Sequence, residues 1–133
     1  MKLRKITLLI FLCTFVPLSV SAQSIFSCEA KRVEGNNQTL EVKVHKNSIF
    51  PTIIIDYEKD TLLYVYSDHD KKWEQKFKIL KRDKNNIAGI NKLQANWITT
   101  IHFNFEQKDF TLSYSGNYAD ATGNTTTFGK CYD

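Results

Sequence analysis

The sequence predicts an all-β fold: a small antiparallel meander of about eight strands, closed or nearly closed into a barrel, with a two-sheet sandwich as the alternative. Three observations predict it. Apolar and polar residues alternate with a period of two in successive runs. Clusters of Asn, Asp, Gly and Lys interrupt those runs about every ten residues, the spacing of short strands joined by turns. Two cysteines lie near the two ends of the folded part, where a bridge would bring the first and last strands together. No stretch carries a helical period.

Along the chain, the first strand runs from about Phe26 to Val33 and ends at the turn formers Gly35, Asn36 and Asn37. Leu40, Val42 and Val44 then alternate with Thr39, Glu41, Lys43 and His45. Ile49 to Tyr57 and Thr61 to Ser67 follow, and both depart from clean alternation. Ile53, Ile54 and Ile55 run together, as do Leu62 to Tyr66, so both faces of these strands are apolar and need a cover. Gln75 to Arg82 and Asn86 to Leu93 come next. The clearest strand is Trp97 to Glu106, where Trp97, Thr99, Ile101, Phe103 and Phe105 form one face and His102 and its polar neighbours the other. Gln107, Lys108 and Asp109 turn the chain. Phe110, Leu112 and Tyr114 alternate with Thr111, Ser113 and Ser115 to complete a hairpin, and Thr125 to Tyr132 is the last strand.

The organisation is a cleaved signal peptide, residues 1–22, and one β-rich domain, residues 23–133. Met1 to Lys5 are basic, Ile6 to Val16 are apolar, Pro17 breaks the run, and Val20, Ser21 and Ala22 offer a cleavage site before Gln23. A permanent anchor needs about twenty unbroken apolar residues, which neither this run nor Ile49 to Ile55 supplies, so the mature chain is expected to hold no membrane span. Cys13 follows Leu12 rather than a small residue, which argues against a lipoprotein. The expected destination is the periplasm or the extracellular space. There, Cys28 and Cys131 have one possible pairing, and a bridge over so long a loop stabilises by about 4 to 5 kcal/mol on the chain-entropy argument. A metal pair or a catalytic thiol would want a His or a second Cys close by in sequence, and neither stands there.

Charge excludes one class of partner. The whole chain carries 18 Lys and Arg against 14 Asp and Glu, but Lys2, Arg4 and Lys5 belong to the signal, leaving 15 against 14. One net charge does not supply the phosphate neutralisation that nucleic-acid binding needs. Lys76, Lys78, Lys81, Arg82 and Lys84, interleaved with Phe77, Ile79 and Leu80, therefore read as the wet side of a strand. Asp68, His69 and Asp70 are consecutive, so on a strand they point to opposite sides; a solvated turn is expected and no metal site. His45 and His102 fall on polar faces. No Gly-x-Ser-x-Gly, His-Glu-x-x-His or phosphate-cradling loop is present, so the chain is expected to be no enzyme and to carry no cofactor.

Ser115-Gly116-Asn117-Tyr118 resembles, one residue shorter, the Ser-Gly-x-x-Tyr stretch of the small periplasmic inhibitors of C-type lysozyme, which are exported, disulfide-linked β-barrels. That family's following Tyr-x-x-x-Thr-Lys-Gly stretch has no counterpart at Ala121-Thr122-Gly123-Asn124, and the likeness covers four residues of 111. It implies protein inhibition, with the Tyr114 to Asn124 loop as the contact. The expected function is a non-catalytic binding module for another protein. Its expected surface is Ile53, Ile55, Leu63 and Val65 together with Ser115, Gly116 and Tyr118. The alternative is a lipocalin-like carrier enclosing a small hydrophobic ligand. An interior packed with Phe103, Phe105, Phe110 and Tyr114 would favour the first, and a cavity of a few hundred cubic ångströms the second.

Overall fold

A computed structural model of the chain describes residues 22–35, 38–41, 50–68, 70–94, 97–118 and 121–133. Residues 1–21, which hold most of the expected signal peptide, lie outside them, as do His45, His69 and the rest of residues 42–49. Nine strands follow in order: β1 (Gln23–Gly35), β2 (Gln38–Glu41), β3 (Thr52–Asp56), β4 (Thr61–Asp68), β5 (Lys71–Arg82), β6 (Asn86–Gln94), β7 (Trp97–Asn104), β8 (Asp109–Tyr118) and β9 (Ala121–Tyr132). All pairings are antiparallel, and β9 returns to pair with β1, closing the sheet. Both β2 and β3 pair with β1, at Arg32–Gly35 and at Gln23–Ser27 respectively, on the edge that β9 leaves free. They share one place in the ring, so nine segments make an eight-stranded barrel. The sandwich alternative does not apply, because the hydrogen-bonded ladder runs unbroken round the ring.

The predicted strands are present among the described residues, with Val42 and Val44 outside them, β1 starting earlier, at Gln23, and β3 confined to Thr52–Asp56. Three further corrections have local causes. Strand β7 stops at Asn104, two residues short of Glu106, because the Asn104 carboxamide oxygen accepts from the Gln107 amide at 2.7 Å and turns the chain early. Strand β5 begins at Lys71, four residues before Gln75, on a hairpin whose Asp70 has φ 64°. The expected Tyr114 to Asn124 loop is instead the continuation of the β8–β9 hairpin, paired from Tyr114↔Thr125 to Tyr118↔Ala121. Alternation through Ser115, Gly116 and Asn117 carries no apolar residue, so the strand is invisible to a hydrophobic pattern.

Alternation then fixes what is inside. Phe26, Ile53, Ile55, Leu62, Phe77, Ile87, Ile101, Phe103, Phe110 and Leu112 pack together, most of them wholly buried, each worth about 1.5 to 3 kcal/mol of burial. Three register shifts bend the wall, at Ala30/Arg32 in β1, at Ile79/Lys81 in β5 and at Asn91/Gln94 in β6. The second explains an irregularity of the sequence: Ile79 faces the core while adjacent Leu80, the extra residue, stands 63% exposed. Gly129 makes a further adjustment. It lies directly opposite Phe110, and a Cβ there would come within 2.1 Å of that ring and 2.7 Å of the Glu29 carbonyl oxygen, so no other residue leaves Phe110 its place.

Cys28 and Cys131 are bonded and face each other directly across the β1–β9 seam. Their amides point away from one another, Cys28 donating to the Pro51 carbonyl at 2.8 Å and Cys131 to the Lys108 carbonyl at 2.6 Å. The pair thus occupies a non-hydrogen-bonded site, where opposed Cα atoms come closest, here 3.9 Å.

Candidate functional site

The double-sided apolar strands resolve into two walls. Ile53 and Ile55 of β3 point inward and are fully buried, as are Leu62 and Tyr64 of β4. Ile54, Leu63 and Val65 point outward and are half-buried. Ile25 of β1, Ile54 and Leu63 form one cross-strand row on the outside, with Thr52 and Val65 in the next. Ile25 is 62% exposed, so among the described residues the outer face of β1–β3–β4 carries an apolar strip of Ile25, Ile54, Leu63 and Val65; Phe50, just before β3, is 50% exposed. Its β5 border is charged: Lys76 lies opposite Leu63, Lys78 opposite Thr61, and Glu74 opposite Val65. Of the four apolar residues expected at an interaction surface, Leu63 and Val65 are on this strip; Ile53 and Ile55 are inside the barrel, beyond reach of a partner protein.

The remaining expected residues lie on the β8–β9 hairpin, away from the strip. Ser115 is exposed and its hydroxyl donates to the Asn124 side-chain oxygen at 3.3 Å. Gly116 sits opposite Trp97 on one side and Gly123 on the other, and Tyr118 pairs with Ala121 near the hairpin tip. His102 is exposed on the outer face of β7 between Ala88 and Thr111, beside a shallow cleft that includes Lys81, Asp83 and Asn86. Lys76, Lys78, Lys81 and Arg82 are all exposed, while Phe77 between them is buried. Among the described residues, no three His, Cys, Asp or Glu side chains come together as metal ligands, and no helix is long and apolar enough to cross a membrane.

Inside, side chains from opposite walls meet. Tyr64 of β4 and Phe110 of β8, four places apart in the ring, touch edge to face with centroids 5.8 Å apart. Phe26 of β1 lies against Phe103 of β7 at 4.7 Å, and Phe105 closes on both, at 6.3 and 5.1 Å. This aromatic plug fills the end of the barrel that holds the Tyr57–Asp60 and Phe105–Lys108 turns.

The other end has a different character, and sequence reasoning did not single it out. Among the described residues its inward positions include Tyr66, Trp73, Gln75, Asn91, Trp97, Thr99, Tyr114 and Thr125, which carry no charge. The Tyr114 hydroxyl donates to the Gln75 side-chain oxygen at 3.2 Å, a bond from β8 to β5 that crosses the lumen. Thr99, flanked by Asn91 and Tyr114, is wholly buried, and its hydroxyl has no hydrogen-bond partner. Burial pushes the Tyr64 phenol well above its ordinary pKa, with Tyr114 and Tyr66 nearby adding to the shift, and burial raises Tyr114 too. The signal was present in the sequence: Thr99 and Gln75 are polar residues in the inward phase of their strands.

Comparison with protein-family models, with curated proteins and with solved structures gives no match.

Proposed function

We propose that this chain is an exported, non-catalytic binding protein that engages another protein through the outer face of β1–β3–β4. The observation that carries this reading is the outer strip of Ile25, Ile54, Leu63 and Val65, with exposed Phe50 just before β3, on a barrel whose own side chains meet across its interior. A flat apolar strip bordered by Lys76 and Lys78 suits a partner surface with an apolar centre and carboxylates at its rim. The Cys28–Cys131 bond accords with an oxidising compartment, and the basic-apolar-small pattern of residues 1–22 supplies the export signal.

The test is cross-linking in the native export compartment followed by capture, with three forms compared. The wild type and Ile98→Asp, a change at an exposed apolar site on β7, should retain the same partner at the same yield. Leu63→Asp should lose it while keeping the wild-type circular dichroism. Equal capture by Leu63→Asp, or equal loss by both variants, would refute the assignment of this strip.

A further inference from the structure

The end of the lumen around Thr99 contains a cost with no structural return. A buried hydroxyl with no hydrogen-bond partner is destabilising, and valine has the same shape without that penalty. The neighbourhood does not lack polar groups: Gln75, Asn91 and Tyr114 all face the same space, yet Tyr114 and Gln75 spend their bond on each other across the lumen. Below Thr99 the barrel is plugged by Ile101, Leu112 and the Tyr64–Phe110 contact. Above it the inward residues are aromatic, and Trp97 lies over Gly123, where a Cβ would come within 3.2 Å of the indole. Trp73 at the rim is half exposed.

We infer that this end of the barrel is a binding site for a small uncharged amphiphile, a flat apolar body with one hydroxyl or carbonyl head, which enters head first and hydrogen-bonds Thr99. Uncharged, because among the described residues Tyr66, Trp73, Gln75, Asn91, Trp97 and Tyr114 line this end and offer no ion to pair with a charged head. Flat and apolar, because the mouth is lined by indole and phenol rings. Head first, because among the described residues the buried side-chain polar atom without a partner is the Thr99 hydroxyl, below the aromatic residues. The Tyr114–Gln75 bond crosses the lumen at this end and would have to open for a head group to reach Thr99. This site is independent of the outer strip, so either assignment can fail without the other.

Two isosteric probes separate a built site from adsorption to apolar surface. 1-Naphthol carries a hydroxyl where 1-methylnaphthalene carries a methyl, and simple partitioning favours the methyl compound. The protein has two tryptophans, Trp73 and Trp97, both at this end, so their indole N–H resonances report occupancy directly. In the wild type, 1-naphthol should shift both saturably and bind about tenfold tighter than 1-methylnaphthalene. Thr99→Val should reverse the preference, and Thr99→Ser, which restores the hydroxyl, should keep it. Tyr114→Phe, lacking the crossing bond, should bind both probes more tightly. No saturable indole shift in the wild type, tighter binding of the methyl compound there, or an unchanged preference in Thr99→Val would each overturn the site.

Discussion

Tyr64 shows how one side chain ties the barrel's interior to pH. Its ring bridges the lumen to Phe110, and burial raises its phenol pKa in the folded state, as it does that of Tyr114. In the unfolded chain both titrate near the ordinary tyrosine value of about 10. A folded pKa above the unfolded one means that the stabilisation is complete below about pH 10 and is lost as pH climbs beyond it, at up to about 1.4 kcal/mol per pH unit for each such group. Urea denaturation between pH 8 and 11 should therefore show wild-type stability falling above pH 10. Tyr64→Phe, which has no proton there to lose, should fall less steeply whatever its stability at pH 8. Parallel slopes would mean that the Tyr64 hydroxyl is solvated in the folded state. At the acid side the same logic runs in reverse for Asp56. Its carboxylate accepts from the Lys59 backbone amide and from the Gln23 side-chain amide, bonds that, with the Lys59 ammonium beside it, hold its pKa below the ordinary range.

At the scale of a strand, adjacent residues have opposite fates, and β3 shows it most sharply. Ile53 is wholly buried against Phe26 and Tyr64 in the ladder, whereas Ile54 lies on the outside between Ile25 and Leu63. Ile53→Asp would place an unpaired carboxylate in the core at a cost of more than about 3 kcal/mol, enough to unfold a domain of this size. Ile54→Asp should leave the fold intact within about 1 kcal/mol. Thermal melts of the two variants decide it, and similar melting temperatures would mean that the phase of β3 is wrong. The same contrast explains what the sequence could reveal. Strands such as β7, with Ile101 and Phe103 inward and Thr100 and His102 outward, were legible because one face is wet. Neighbouring Ile53, Ile54 and Ile55 carry no phase of their own, since it comes from pairing with Phe26 and Tyr64, residues distant in sequence. Ser115 to Tyr118 suggest a loop in the sequence because Ser, Gly and Asn extend the hairpin by backbone pairing without an apolar face. Thr99 was placed on the core face correctly, but that its hydroxyl lacks a partner depends on where Tyr114 and Gln75 reach across the barrel, which no local pattern encodes.

For the molecule as a whole, closure is the step that local sequence does not help. Every ladder from β3 to β9 joins neighbours in the chain, but the last one joins β9 back to β1, with Cys28 and Cys131 separated by 103 residues. Loop-closure entropy must be met before that seam yields any burial, so in the reduced chain it is expected to form late and slowly. The bond meets that entropy in advance, because the oxidised unfolded chain is already a ring. Cys28→Ala with Cys131→Ala keeps the buried site apolar and removes only the link. The double variant should lose about 4 kcal/mol of stability and unfold with a larger denaturant dependence, since its unfolded state exposes more surface. The kinetic consequence separates this account from a merely local one. If the link acts by pre-closing the ring, most of the loss appears as slower refolding, whereas a bond that only clamps two finished strands would leave refolding unchanged and speed unfolding. Stopped-flow refolding of the oxidised wild type against the double variant reads the difference, and equal refolding rates would assign the barrel's closure to the β1–β9 ladder itself.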